Sequence, residues 1–252
     1  MFKRLASLLV ALALMLMCTA AFAFPLGEPL TGVITYPEGA SEEDALYVYR
    51  YSYPTVTGEG AAPQLINGVF DFMVEDAYSF RVPMDVEGLP GEGPQHYKNI
   101  TYEITCHTED YLSVTLHTEA FTGLSSAQSI AGYTFLLSGE DAGKVIYLPH
   151  LLGLLDIDET DDWLIERQTI KADECVRELV WEIIEEQISD GTVAYDPELT
   201  YELFSWNFYP EVDFYMNDSG DLVFYIQEAL IAPASEGVLL FPFSLEELLD
   251  EI

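Results

Sequence analysis

The sequence predicts an α+β fold in which an antiparallel sheet, built from a meander and a C-terminal hairpin, packs against two main helices. Three observations predict it: runs of alternating apolar and polar residues in the middle of the chain, two stretches with apolar residues at three- and four-residue steps, and a turn-forming cluster between two aromatic runs near the end. The chain has 252 residues, of which 50% are hydrophobic, so it can bury a globular core.

Residues 1–23 are typical of a secretory signal. Lys3 and Arg4 precede an apolar run that ends in Ala-Phe-Ala, the small-residue pattern of a cleavage site. An uncleaved anchor is the second interpretation, and a lipoprotein signal at Cys18 is the third because large residues precede that cysteine. No second apolar span follows in the sequence, so we expect an exported chain with no membrane span after cleavage.

Two domains are predicted, a smaller N-terminal one over 24–94 and an α+β domain over 95–252. The Gly/Pro-rich segment 86–94 separates them. In the first, residues 45–53 predict a strand with four tyrosines on one face. That row could be a sugar-binding platform, but a half-buried row with its hydroxyls at the rim is favoured, since tyrosine suits strands. Residues 63–79 predict a helix.

In the second domain, alternation predicts three strands over 97–137 and a fourth over 145–148. A long helix is predicted over 161–188. The acidic run before it supplies weak calcium candidates, but a capped, solvated helix start is favoured because the run lacks the glycine and distal glutamate of an EF-hand loop. Those candidates are Asp156, Asp158, Asp161 and Asp162.

The C-terminal stretch carries the strongest local signals. Two aromatic and β-branched runs flank a turn cluster in which Gly220 can adopt positive φ, which predicts a hairpin whose second strand lies inside a sheet. Ser244 and Glu247 have the spacing of a capping box, which predicts a short terminal helix. Trp206, Phe208 and Tyr209, in the segment before the hairpin, are expected in the core.

Recognisable catalytic motifs are missing from the sequence. Cys106 and Cys175 could form a disulfide in an oxidising compartment or remain free thiols. The four histidines are scattered, no nucleophile elbow or phosphate loop is present, and we expect no catalytic residue, metal or cofactor. With 44 Asp and Glu residues, a carboxylate pair for glycan hydrolysis would arise by chance and indicates nothing.

The formal net charge of −35 limits the classes of partner. It argues against nucleic acid, whose phosphate backbone would be repelled. An acidic surface attracts cationic proteins and accelerates their encounter, although strong charge also supplies solubility without any partner.

The C-terminal pattern Phe-Tyr-x-Asn-Asp-x-Gly-Asp-Leu-Val-Phe-Tyr, followed by Ala-Pro, a glycine, a strand and Pro-Phe-Ser-x-Glu-Glu-Leu, resembles an RsiV-like and PdaC-like secreted domain family of unknown function. Its members include the extracellular lysozyme-sensing domain of the RsiV anti-sigma factor and the accessory domain of PdaC-type peptidoglycan deacetylases. The resemblance implies a secreted or cell-envelope module of a Gram-positive-type bacterium. It also implies non-catalytic binding of a cationic protein such as lysozyme, or of peptidoglycan. The alternative is an acidic-site glycan hydrolase or another cell-wall-modifying enzyme.

Overall fold

The computed structural model describes residues 24–89 and 93–252, so the predicted signal over 1–23 lies outside the described residues. Two sheets and two larger helices make up the fold, which confirms the α+β prediction. The strands are β1 (Leu30–Tyr36), β2 (Tyr47–Tyr53), β3 (His96–His107), β4 (Tyr111–Phe121), β5 (Ser126–Leu136), β6 (Val145–Ile146), β7 (Phe214–Met216), β8 (Leu222–Ile226) and β9 (Leu239–Phe243). The α-helices are α1 (Ala61–Asp76), α2 (Val82–Val86), α3 (Leu148–Leu151), α4 (Asp162–Asp190), α5 (Tyr201–Trp206) and α6 (Leu245–Glu251).

The larger sheet has six strands in the order β1-β2-β3-β4-β5-β6. All neighbours are antiparallel except β2 and β3, which run parallel from the pair Tyr47–His96 to the pair Tyr51–Ile100. A parallel pair needs a long crossover, and the segment that contains α1 and α2 supplies it. Strands on both sides of residue 94, where a domain boundary was predicted, therefore belong to one sheet.

One face of this sheet packs against α1. Ile66 and Phe70 from the helix lie in a core with Tyr53, Val114 and Phe135 from the strands. The predicted tyrosine row of β2 faces the same side, and three of its four rings are no more than 4% exposed. The row is therefore a core layer, buried more deeply than predicted, and a sugar-binding platform is excluded there.

The three-stranded sheet has the order β7-β8-β9 and is antiparallel throughout. Its central strand is β8, as predicted, and all five residues of β8 are buried. A second core lies between this sheet and α4, to which α4 contributes Val176, Val180 and Ile184 and the sheet contributes Phe224.

Helix boundaries differ from the predictions where the turn geometry is unusual. The first helix begins at Ala61 and continues beyond Asp76 through a π-helical turn, Ala77–Arg81, into α2, so the loop starts after Val86. The long helix starts one residue later than predicted, because the Asp161 side chain accepts hydrogen bonds from the backbone N–H groups of Trp163 and Leu164. The capping box of α6 is confirmed.

Candidate binding cleft

A cleft of about 780 Å³ lies between the two sheets, on the face of the larger sheet away from α1. One wall is the polar face of β3 and β4, which carries Thr101, Glu103, Thr115, His117 and Glu119. These residues share a face because side chains alternate along a strand. The opposite wall is the β7–β8 hairpin turn with the segment leading into β9, and its lining residues are Tyr215, Asn217, Asp218, Ser219, Val238 and Leu240.

Hydrogen bonds from the second sheet to β5 hold the two walls together. The Gln227 side-chain amide makes two hydrogen bonds to the backbone of Ile130. It donates to the Ile130 carbonyl at 2.7 Å and accepts from the Ile130 N–H at 3.0 Å. The Gly132 N–H donates to the Tyr225 hydroxyl at 2.9 Å. A Cβ at Gly132 would lie 1.9 Å from the carbonyl oxygen of Phe214, so only glycine allows this approach.

A buried hydroxyl pair makes a second connection, to β4. The Ser113 hydroxyl accepts from the Met216 N–H at 3.0 Å and lies 2.9 Å from the Thr134 hydroxyl. Ser113 and Thr134 are almost fully buried, and their mutual hydrogen bond offsets the cost of removing them from water. These hydrogen bonds fix the position of the three-stranded sheet against β4 and β5, and with it the position of the hairpin wall.

The hairpin that closes the cleft is formed by the predicted turn residues. The Asn217 side-chain oxygen accepts from the N–H groups of Ser219 and Asp221, and Gly220 adopts φ of +84°. These local bonds fix the backbone of the turn and present Asp218 to the cleft.

The chemistry of the lining restricts the ligand. The described residues that line the cleft supply hydroxyl, amide and carboxylate groups, and Ile104, Ile130, Val238 and Leu240 add apolar surface. None of these described lining residues is Lys or Arg. His117 lies 3.0 Å from the Thr115 hydroxyl and 3.7 Å from Glu103, and the side chains of His117 and Glu103 are both exposed. The third lining carboxylate, Glu119, accepts from the Tyr97 hydroxyl at 2.9 Å. This surface suits a neutral polar or cationic ligand and disfavours phosphates and other anions.

Glu103 and Glu119 lie far apart along the strands that carry them. Glu103 pairs with Thr115 across the sheet, and Glu119 pairs with Asn99. The two glutamates are therefore offset by four residues along the strand direction. At about 3.3 Å per residue, this separates their backbone positions by roughly 13 Å. Glycosidase carboxyl groups are about 5–9.5 Å apart, which is narrower.

Comparison with solved structures places this architecture among known folds. A DUF3298 family member from Bacteroides fragilis NCTC 9343 matches with a TM-score of 0.53 and 15% identity, over 91% of this chain and 94% of that chain. A DUF3298 family protein from Pseudomonas aeruginosa PAO1 matches with a TM-score of 0.52 and 13% identity, over the same shares. The fold is shared with DUF3298 family proteins. No family model and no curated protein matches the sequence.

The four aspartates considered for calcium do not form a site. Asp161 is the N-cap of α4, where its carboxylate accepts from the backbone. Within the described ranges, no group of three or more His, Cys, Asp or Glu side chains is placed to hold a metal ion. The same part of the chain contains no helix with the length and apolar character needed to cross a membrane.

The two cysteines considered for a disulfide are free thiols, so the proposed bridge is not formed in this structure. Cys106 lies on β3, and Cys175 lies on α4. Burial raises the pKa of both thiols. A raised pKa keeps a thiol protonated and less nucleophilic.

Sequence reasoning missed a buried carboxyl pair beneath α4. Asp173 is 6% exposed and meets Glu211, and burial together with this neighbour raises its pKa to about 8. Arg177 approaches Asp173 at 3.4 Å but also donates twice, at 3.1 Å, to the Phe208 carbonyl. The signal was present in the sequence, since Asp173 sits between Ala172 and Val176 on the apolar stripe.

Proposed function

We propose that the chain is a non-catalytic binding module for a cationic protein of the lysozyme type, with the cleft as a principal contact. The observation that carries the proposal is the charge of the cleft lining: Glu103, Glu119 and Asp218 contribute carboxylates, and no Lys or Arg is among the described lining residues. Lys and Arg side chains of a partner would meet hydroxyls and carboxylates arranged on a rigid wall.

The basic side chains of this chain do not compensate that charge, because they already have partners within it. Of the nine Lys and Arg residues, Lys3 and Arg4 lie outside the described residues. Arg167 stacks over the Trp163 ring at 5.3 Å, and Lys171 donates to the carbonyl of Ile252. The other five pair with acids: Arg50 with Glu42, Arg81 with Asp76, Lys98 with Asp85, Lys144 with Asp141 and Arg177 with Asp173.

The resemblance of the C-terminal pattern to the lysozyme-sensing domain of RsiV-like proteins supports the same class of partner, and the predicted secretory signal supports a location where such a partner occurs.

A peptidoglycan ligand is the second candidate. The hydroxyl and amide groups of Thr101, Asn99 and Gln128 could bond sugar hydroxyls, and the half-buried Tyr215 ring lies in the same cleft. A neutral glycan would bind through these groups largely independently of salt, whereas binding of a cationic protein weakens as salt screens the charges.

The test is isothermal titration with lysozyme and, separately, with soluble peptidoglycan fragments, at low and high salt. The variant combines Glu103→Gln, Glu119→Gln and Asp218→Asn. At about 0.2–1 kcal/mol for each exposed charge pair, it should weaken lysozyme binding roughly threefold to a hundredfold. A matched control removes three exposed acids from the outer face of α4: Glu182→Gln, Glu185→Gln and Glu186→Gln.

Equal weakening by the control would assign binding to net charge rather than to the cleft, and absence of binding at low salt would overturn the proposal. Salt-independent binding of the fragments that persists in the cleft variant would favour the glycan. Release of reducing sugar from peptidoglycan would show that the chain is an enzyme.

A further inference from the structure

The outer edge of β1 is unusually open for a natural sheet. β1 is the first strand in the sheet order, and within the described residues it pairs with β2 alone. Its seven residues contain no Lys and no Pro, and its register against β2 runs without a bulge from Leu30–Tyr53 to Tyr36–Tyr47. Edge strands usually carry a lysine, a proline or a bulge. These features hinder another strand from pairing with the free N–H and C=O groups of the edge.

A groove runs beside this edge, between β1 and the helical segment from α1 to α2. It consists of two adjoining hollows of about 630 Å³ and 460 Å³, which share Ile34, Thr35, Glu38 and Tyr78. Its helical wall is largely apolar and is formed by Val74, Tyr78, Val82, Pro83 and Val86. Seven strand residues span roughly 20 Å, so the groove can accompany an added strand along much of its length.

We propose that β1 binds an extended cationic peptide segment as a seventh strand, with alternate apolar side chains of the peptide in the groove. Main-chain hydrogen bonds to the free edge would supply affinity, and the side chains pointing into the groove would supply selectivity. This surface lies on the α1 side of the sheet, opposite the cleft, so the proposal goes beyond the proposed function and does not depend on it.

The charge around the groove identifies the occupant. Glu38, Asp71 and Glu75 line it, and none of its described lining residues is Lys or Arg. A second copy of this chain would bring the same acids against one another, which like-charge repulsion opposes. A segment with apolar and basic residues in alternation matches both the apolar wall and the acidic rim.

One hydrogen bond crosses the groove where the two hollows meet. The Tyr78 hydroxyl donates to Glu38 at 2.7 Å, and both side chains are exposed. Because water competes for this bond, an incoming basic side chain can take Glu38 in its place.

The test uses a fluorescein-labelled heptapeptide of alternating Lys and Val, beginning and ending with Lys, and measures binding by anisotropy. A second peptide has the same sequence with every interior residue N-methylated, which keeps the charge and the apolar side chains but removes the main-chain donors along both edges of the strand. The unmodified peptide should bind at least tenfold more tightly and should slow amide hydrogen exchange in 30–36. Equal affinity of the two peptides would overturn strand addition.

Two double variants locate the site. Asp71→Lys with Glu75→Lys, both at exposed positions of α1, should weaken peptide binding at least fivefold, whereas Glu185→Lys with Glu186→Lys on α4 should have a smaller effect. The neutralised cleft variant should bind the peptide as the parent does. Loss of peptide binding in the cleft variant, or exchange protection at the cleft instead of β1, would refute this site whatever the outcome with lysozyme.

Discussion

The buried pair of Asp173 and Glu211 should make the protein less stable as the pH rises toward neutrality. Asp173 Oδ1 and Glu211 Oε2 are both buried without a donor from any other group in the described chain. Burial, followed by the hydrogen bond and the charge of Glu211, raises the pKa of Asp173 from its ordinary value of 3.8 to about 8. A proton shared by the two carboxyls then satisfies both oxygens. The perturbation that tests this is Asp173→Asn, which keeps the shape and supplies a permanent N–H donor.

The sign follows from proton binding. Below the unfolded pKa of 3.8, both states carry the proton; between 3.8 and about 8, the folded state keeps a proton that the unfolded state releases. The free energy of unfolding therefore falls with rising pH in this window, by at most about 1.4 kcal/mol per pH unit for one proton. Burial raises the pKa of Asp213 to about 6 and acts in the same direction, but its effect is largely complete above that pH.

Burial lowers the pKa of His107 and of His150, so these two histidines add stability as the pH rises past 6.5 and oppose the loss at Asp173. Their contribution is the same in the parent and in Asp173→Asn, so the difference between the two proteins isolates Asp173. Urea unfolding followed by tryptophan fluorescence should show the parent losing roughly 1 kcal/mol relative to Asp173→Asn between pH 6.5 and 7.5. Glu186→Gln, an exposed acid of the same helix, is the control and should keep the parental slope. Parallel pH profiles for the parent and Asp173→Asn would refute the shared proton.

Three further predictions concern single sites. Gly132→Ala should destabilise the protein by about 3 kcal/mol in urea unfolding, since its Cβ would collide with the Phe214 carbonyl, and a loss below roughly 0.5 kcal/mol would show that the sheets separate easily. Ser244→Ala should cost about 1 kcal/mol by removing the cap of α6, and an unchanged melting temperature would contradict this. Cys106 and Cys175 should both react with a thiol reagent in unfolded, unreduced protein, and no reaction would indicate a disulfide.

The parts of the fold that the sequence predicted depend on neighbours close in the chain. The 217–221 turn, the Asp161 cap and the Ser244–Glu247 box are each made by residues fewer than five positions apart, so residue type and spacing determine them. The parallel pairing of β2 and β3 is different, because it joins residues about 49 positions apart and depends on how α1 packs. Local patterns carry no information on such a choice.

Exposure was also predicted less well than secondary structure. Trp206, Phe208 and Tyr209 were expected in the core; Phe208 is fully buried, as predicted, but Trp206 and Tyr209 are 62% and 49% exposed. Apolar character alone does not decide which side of a short helix faces α4. The cleft could not be predicted for a similar reason. Strand alternation predicts a polar face on β3 and β4, but only the docking of the hairpin onto that face creates a concave site.

The net charge affects both the stability of the free protein and the proposed binding, and salt should change the two in opposite directions. Salt screens the repulsion within a chain of net charge −35, so the free protein should melt at a higher temperature as salt increases. A partner that binds the folded state also raises the melting temperature, in proportion to RT ln(1 + [L]/Kd), but salt weakens a cationic partner's binding. The shift produced by lysozyme should therefore shrink under the conditions in which the free protein becomes more stable. A shift that persists at high salt would require the polar groups of the cleft, rather than its carboxylates, to hold the ligand.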